Sequence, residues 1–439
     1  MRNNRIVCLA LLVACLLSGC RMRTAQELYC LPKRSQAYQD LQNVIDRSMS
    51  GLEFCAPLSG ENRQAVQQAD LNGDGEQEYL LFAKGSGELP LKILVFCLDD
   101  GHFVLQQTIE SNGTAFDMVE YAQLDGEDGM ELVIGSQLND RVLRSAAVYS
   151  FGGGQLQKLM VTPYTKYLTT DLDLDGSREL MVLRPGAAEA QNGVAELFRI
   201  RGGVVEKSLE AALSAPVENL KRIITGKLHG GQNAVFVGSS VEQDAIITDI
   251  YTLAGGDFTN ITLSAEAGTS VQTLRNYYVY AEDIDADGEV ELPDLINMLP
   301  LNALQDAGQH HLIRWYAMGP DGSQCTKRYT FHNYVDGWYL ELQQPWASQI
   351  TVVQEEHAYS FYLWDESYTA AEKIFSVYVF AGQDREAQAI ANNRFLLHKS
   401  ENAVYAARME VASGALEITQ ADLIKSFHLI YQAWNTGEM

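Results

Sequence analysis

The sequence predicts a mainly β protein: a β-propeller with five recognisable blades and room for more, followed by a small α+β domain. From about residue 56, short runs of Val, Ile, Leu, Tyr and Phe alternate with Gly, Asp and Asn, which is typical of short strands joined by tight turns. A segment that is acidic in four of its five copies recurs with starts at residues 70, 123, 171, 227 and 283, and a Gly-containing hairpin turn follows each one. A unit of 48–56 residues has room for about four strands, the content of one propeller blade.

The first 19 residues have the pattern of an export signal. Arg2 and Arg5 precede an apolar run over residues 6–17, which is shorter than the roughly 20 residues that a membrane-spanning helix needs. The ending Leu17-Ser18-Gly19-Cys20 resembles the bacterial lipobox. That resemblance implies cleavage before Cys20 and a diacylglyceryl group on its sulfur. We therefore expect an exported protein, anchored by lipid to the outer face of the bacterial cell membrane.

Charge and cysteine content narrow the possible partners. The net charge of −25 makes nucleic acid and anionic lipid surfaces poor partners and suits a protein that collects cations. After export, the cysteines other than Cys20 are Cys30, Cys55, Cys97 and Cys325. Four cysteines allow three sets of pairings, and their spacing does not choose among them.

Three segments follow the signal. Residues 20–55 are predicted to form a lipidated tether and one helix over residues 35–49, where apolar residues recur at helical spacing. Residues 56–333 form the predicted propeller. Residues 334–439 form the predicted α+β domain, with strands near 350–353, 359–364, 375–380, 395–398 and 403–409 and helices over 383–391 and 419–434. Thr419 is expected to cap the last helix, with Asp422 three positions on. In outline, this domain is faintly similar to the Mog1/PsbP group.

The acidic segments follow the pattern Asp-x-Asp-x-Asp-Gly-x-x-Glu, in which alternate side chains converge because Gly permits a sharp turn. Carboxylates crowded in this way repel one another unless a cation binds, and a flexible all-oxygen site favours calcium. We predict about three calcium sites with the following ligands: Asp70, Asn72, Asp74 and Glu78; Asp171, Asp173, Asp175 and Glu179; and Asp283, Asp285, Asp287 and Glu291. The segment at 123 is a weaker candidate, with Asp125, Glu127 and Glu131 but Gln123 in first place, and the segment at 227 has no carboxylate. The alternative is that these are solvated turns, since Asp, Asn and Gly are the usual turn residues.

Repeats of this length, each with the acidic motif before a short apolar strand, resemble the FG-GAP/VCBS repeats of integrin-like β-propellers over about residues 60–333. The resemblance implies blades that calcium stabilises at loops on one face, and another surface that is used for binding.

The sequence lacks the motifs of a nucleophilic elbow, a zinc protease and a phosphate-binding loop. We therefore expect a non-catalytic binding protein for a glycan, a peptide or an envelope component. The alternative is a propeller-based carbohydrate-active enzyme, because a chain so rich in acids can place two carboxylates across a glycosidic bond.

Overall fold

A computed structural model describes residues 36–138, 143–187, 192–206, 208–241, 245–301, 310–355, 358–410 and 418–430. The export signal, Cys20, Cys30 and the end of the predicted C-terminal helix lie outside these residues. Contacts divide the chain into two units. The first holds the described residues up to Ala56 together with Gln64–Ala69 and Gly75–Asn112, and the second holds Pro57–Arg63, Asp70–Asp74 and the described residues from Gly113 onward. No helix among the described residues is long and apolar enough to cross a membrane.

The first unit consists of one helix and one sheet. Its elements are α1 (Gln36–Ser48), β1 (Glu53–Phe54), β2 (Val66–Ala69), β3 (Glu78–Lys84), β4 (Leu91–Asp99) and β5 (His102–Ser111). Sheet 1 has the order β1-β3-β4-β5, with β2 also paired to β3. Leu41 and Ile45 of α1 are buried with Leu81 and Phe96 of the sheet, so the helix predicted from its apolar spacing is confirmed.

The second unit is built from antiparallel sheets that follow one another along the chain. Sheet 2 consists of β6 (Ala115–Ala122), β7 (Glu131–Gln137), β8 (Arg144–Gly152) and β9 (Gln155–Tyr164). Sheet 3 consists of β10 (Lys166–Thr170), β11 (Glu179–Pro185), β12 (Gly193–Phe198) and β15 (Leu209–Ala212), and a two-stranded ribbon of β13 (Ile200–Arg201) and β14 (Val204–Val205) lies between β12 and β15 in the chain. Sheet 4 consists of β16 (Leu220–Lys227), β17 (Asn233–Val241), β18 (Ala245–Ala254) and β19 (Asp257–Asn260). Each of these three sheets places its strands in chain order, as a propeller blade does.

Two five-stranded sheets complete the described part of this unit. Sheet 5 has the order β20 (Glu291–Asn297), β21 (His311–Met318), β22 (Gln324–Asn333), β23 (Trp338–Leu342) and β29 (Phe427–Leu429). Sheet 6 has the order β24 (Ile350–Glu355), β25 (Ala358–Trp364), β26 (Ala371–Ala381), β28 (Ala403–Met409) and β27 (Phe395–Lys399). Two short helices, α2 (Arg385–Ile390) and α3 (Gln420–Ser426), accompany these sheets.

The central strands are apolar on both faces because each sheet of the second unit packs on the next. Leu180 and Val182 of β11 are buried against sheet 2, whereas Met181 and Leu183 are buried against sheet 4. Similar clusters join sheet 4 to sheet 5 and sheet 5 to sheet 6. Successive side chains of a strand point to opposite faces, so a continuous apolar run is what a sheet buried on both faces requires. The mainly β, propeller-class fold predicted from the repeats is confirmed.

The C-terminal region departs from the prediction in one element. Thr419 caps α3 in a reciprocal capping box with Asp422, as expected. The predicted helix over 419–434 nevertheless ends at Ser426, and Phe427–Leu429 is instead an edge strand paired with β23. Sheet 5 therefore contains strands from both sides of the predicted boundary between residues 333 and 334, because β22 pairs with β23 across it.

Candidate metal centres

The five aligned segments occupy equivalent places in consecutive sheets. We refer to them as loop 70 (residues 70–78), loop 123 (residues 123–131), loop 171 (residues 171–179), loop 227 (residues 227–233) and loop 283 (residues 283–291). The first four each connect the first and second strands of the hairpin that opens a sheet, and loop 283 leads into β20. Loops 171 and 283 also share left-handed backbone at their fourth residues, Leu174 and Ala286, and at their sixth, Gly176 and Gly288. These turns direct alternate side chains to one point.

In loop 171, three predicted ligands converge. Asp171, Asp173 and Glu179 each offer a carboxylate oxygen, and these oxygens lie within 4.8 Å of one another. Glu179 is only 1% exposed, and its Oε2 accepts a hydrogen bond from the backbone N–H of Leu172 at 2.9 Å. Oδ1 of Asp171 and Oδ1 of Asp173 are buried and have no hydrogen-bond donor.

Loop 283 repeats the arrangement 112 residues later. Asp283, Asp285 and Glu291 bring their oxygens within 4.8 Å. Glu291 is fully buried, and its Oε2 accepts from the backbone N–H of Ile284 at 3.0 Å. Its Oε1 and Oδ1 of Asp285 are buried without a donor.

Both sets of carboxylates can hold a metal ion. The donors are all hard oxygens, and buried oxygens without a donor are costly unless a cation or a proton satisfies them. Burial and then the neighbouring carboxylates of Asp173 and Asp175 raise the pKa of Glu179 to about 7. Burial, followed by the acids of its own loop, raises the pKa of Glu291 to about 7 in the same way. A cation at these points would relieve this electrostatic cost.

The fifth-position acids lie outside these two sets. Asp175 is paired with Arg201, and Asp287 accepts from Nζ of Lys327 at 2.7 Å. The hydrogen bond from Lys327 lowers the pKa of Asp287. A second basic side chain faces the outer oxygen of each third-position acid: Arg199 lies 3.5 Å from Oδ2 of Asp173.

In loop 283 the corresponding contact is made by Arg328, which lies 3.4 Å from Oδ2 of Asp285. In both loops the third-position carboxylate therefore turns Oδ2 towards a guanidinium while its Oδ1 is buried and has no donor. Such second contacts orient a metal ligand. No motif in the sequence marks these basic residues, because they lie well beyond the loops in the chain.

Loop 70 is divided between the two units, so its parts are described separately. Within the first five residues, the Gly73 N–H donates to Asp70 Oδ1 at 2.8 Å and Nδ2 of Asn72 donates to Asp74 Oδ2 at 3.0 Å. Glu78 is buried at the start of β3. Among the described residues, converging acids are found in loops 171 and 283 only, and a calcium site in loop 70 stays a prediction.

In loop 123, hydrogen bonds within the loop and from Ser150 satisfy the groups that correspond to metal ligands in loops 171 and 283. Nε2 of Gln123, at the first position, donates to the carbonyls of Glu127 and Gly129, and its Oε1 accepts from the Gly126 N–H at 2.8 Å. Oε1 of Glu131, which corresponds to the donor-free oxygen of Glu291, accepts from the hydroxyl of Ser150 at 3.0 Å. The side-chain amide of Gln123 thus donates to backbone carbonyls that could otherwise accept a cation. Asp125, Glu127 and Glu131 form no converging set in the described chain.

We expect Gln123→Ala to destabilise the protein by about 1–2 kcal/mol, because two carbonyls lose their donor, and to leave metal stoichiometry unchanged. Denaturant unfolding and calorimetric titration with calcium measure the two effects. A fall in stoichiometry would mean that loop 123 does hold a metal. Gln157→Ala, which removes a side-chain bond to the turn carbonyl of Gly152, is the matched control.

Cys55 and Cys325 carry free thiols, and Cys30 lies outside the described residues.

No protein-family model and no curated protein matches the chain. Solved structures that resemble it include the exotype rhamnogalacturonan lyase YesX, with 12% identity and a TM-score of 0.27 over 73% of this chain and 62% of the lyase. Others are the β-propeller domain of the trilobed protease from Pyrococcus furiosus, with 15% identity and a TM-score of 0.28 over 72% and 89% of the two chains, and a Bacillus licheniformis rhamnogalacturonan lyase, with 11% identity and a TM-score of 0.27 over 71% of each. The chain thus spans less than two thirds of YesX. These scores are too low to transfer an activity or a ligand.

Proposed function

We propose that this protein is a calcium-stabilised β-propeller that is displayed on the outer face of the bacterial membrane by a lipid on Cys20 and acts as a binding protein. The observation that carries the metal part is the pair of converging carboxylate sets, each with a buried Glu and with buried carboxylate oxygens that have no donor. Calcium fits better than magnesium because a loop with many carboxylates suits six to eight oxygen ligands better than a strict octahedron.

The residues that would hold the ion are Asp171, Asp173 and Glu179 in one loop and Asp283, Asp285 and Glu291 in the other. When bound, the ion would supply positive charge that fixes each loop against its sheet. Arg199 and Arg328 would hold the outer oxygens of the third-position acids. The metal has a structural role in this proposal. The molecule that the propeller binds is a glycan, a peptide or an envelope component.

The anchor is tested by detergent-phase partition of the full-length protein made in a bacterial host. We expect the native chain in the detergent phase and Cys20→Ala in the aqueous phase, because two acyl chains on one residue contribute about 0.8 kcal/mol for each buried CH₂ group. Cys55→Ala is the control and should partition like the native chain. Equal partition of native protein and Cys20→Ala would contradict a lipid on Cys20.

The binding role is tested by incubating the immobilised protein with defined polysaccharides and peptides, in calcium and in chelator. Retention of a probe without its breakdown supports the binding protein. Release of shortened or unsaturated oligosaccharides would support the carbohydrate-active enzyme instead.

A further inference from the structure

Loop 227, which carries no carboxylate, is hydrogen-bonded to both candidate metal centres. We propose that this loop positions loops 171 and 283 for metal binding and couples the two sites. The inference rests on the proposed metal function and adds a role for the one repeat whose motif is lost.

Consecutive loops are joined by one repeated hydrogen bond. In three junctions the carbonyl of a loop's first residue accepts from the backbone N–H of the eighth residue of the next loop: Asp70 from Met130 at 3.1 Å, Gln123 from Arg178 at 2.7 Å, and Lys227 from Val290 at 2.9 Å. The donor precedes the ninth-position Glu each time. The bond therefore fixes the start of one loop relative to the Glu of the next.

The junction between loops 171 and 227 uses a side chain instead. Loop 227 is one residue shorter, because Gly226 pairs with Ala234 where Thr170 pairs with Glu179 in loop 171. Asn233 stands at the place of the eighth residue, and its Nδ2 donates to the carbonyl of Asp171 at 2.6 Å. Asp171 is a member of the first carboxylate set, so Asn233 restrains the peptide that carries this ligand.

The other side of loop 227 holds loop 283. Lys227, the cross-strand partner of Asn233, donates its N–H to the carbonyl of Gly288 at 2.9 Å and accepts from Val290. The N–H of Gly230 donates to Oε1 of Glu289 at 3.1 Å.

Nδ1 of His229 lies 3.0 Å from Oε2 of the same Glu289 side chain. Four contacts thus fix residues 288–290, immediately before Glu291.

Three contacts consequently connect the two sites. Asn233 donates to the carbonyl of Asp171 and is the cross-strand partner of Lys227. The carbonyl of Lys227 in turn accepts from the N–H of Val290, which precedes Glu291. Ordering Asp171 by a metal restrains Asn233 and Lys227, so part of the entropy needed to order loop 283 is already lost. Binding at either site then favours binding at the other, and the effect is reciprocal.

The test uses calorimetric titration of the full chain in detergent with calcium. Of the two sites in loops 171 and 283, Asp285→Asn leaves the one in loop 171 and Asp173→Asn leaves the one in loop 283. The double variant measures binding by the rest of the chain, including loop 70, and is subtracted. We expect each isolated site to bind about fivefold more weakly than the same site in the native protein. Asn233→Ala should weaken the site in loop 171 by about tenfold and make its affinity independent of residue 285.

Gln232→Ala, in the same turn but outside these bonds, is the matched control and should change neither quantity. Asn233→Gln, which retains an amide donor, should recover part of the coupling. One contrary result is that each site binds calcium with the same affinity in the native protein and in its single-site variant. Another is that Asn233→Ala leaves the coupling intact and lowers only the thermal stability in chelator. Either result would mean that the role of loop 227 is wrong, while the proposed metal function stands. If the native protein binds no calcium, both proposals fail.

Discussion

We expect chelation of divalent cations to lower the midpoint of thermal unfolding of the purified protein by about 10 °C, and returning calcium to restore it. A cation that binds only the folded chain stabilises it by RT ln(1 + [L]/Kd), about 4 kcal/mol per site at a concentration a thousandfold above Kd. With two sites, this corresponds to a shift of that order for a protein of several hundred residues. Differential scanning calorimetry with and without chelator measures it.

Replacing Asp173 and Asp285 together by Asn should remove the part of the calcium-dependent rise that comes from loops 171 and 283. The same variant should melt at or above the native protein in chelator, because it relieves repulsion among the converging acids of each loop. This reversal of order between calcium and chelator separates a metal site from a purely structural carboxylate. A double variant that is less stable than the native protein in both conditions, by the same amount, would contradict the assignment.

The matched control replaces Asp99 and Asp100 by Asn. These two acids lie in an exposed Gly-containing hairpin turn outside the carboxylate sets, so the variant changes the net charge by the same two units. We expect an unchanged difference between the calcium and chelator midpoints. A difference that fell as far as in the Asp173/Asp285 variant would indicate a general charge effect.

The fold was predictable where local pattern and tertiary packing agree. Gly101 and Gly154 have the left-handed backbone that their hairpin turns require, and the apolar run of β11 is buried on both faces. The segment Phe427–Leu429 continues a helical pattern in sequence, yet it forms a strand because β23 offers an edge for pairing. That competition depends on a strand about 90 residues earlier in the chain, and no local signal reports it.

The candidate sites show the same division. The spacing of the acidic motif brought the first, third and ninth residues of loops 171 and 283 together. It could not report that Asp175 is paired with Arg201, 26 residues on, or that Asp287 is paired with Lys327, 40 residues on. Nor does the sequence indicate that Asn233 contacts Asp171, since that contact depends on how two sheets stack.

Calcium affinity should rise with pH through about 7. The pKa of Glu179 and of Glu291 is raised to about 7 in the metal-free fold, whereas both groups have an ordinary pKa near 4.5. Calcium binds the carboxylate form, so below pH 7 binding must release a proton from each site. We expect each site to lose affinity by about tenfold or more between pH 7.5 and pH 5.5, in proportion to its protonated fraction.

Titration at pH 6.5 in buffers of different ionisation enthalpy measures the released protons directly. The metal-free fold holds protons between pH 4.5 and about 7 that the unfolded chain has lost, so the contribution of these two groups to stability falls as pH rises through that window. Calcium should remove this decline, because it takes the place of the protons. Glu131→Gln is the control: its carboxyl belongs to neither set, so the proton release should not change. An affinity that stays constant from pH 5.5 to 7.5, without proton release, would mean that Glu179 and Glu291 are not ligands.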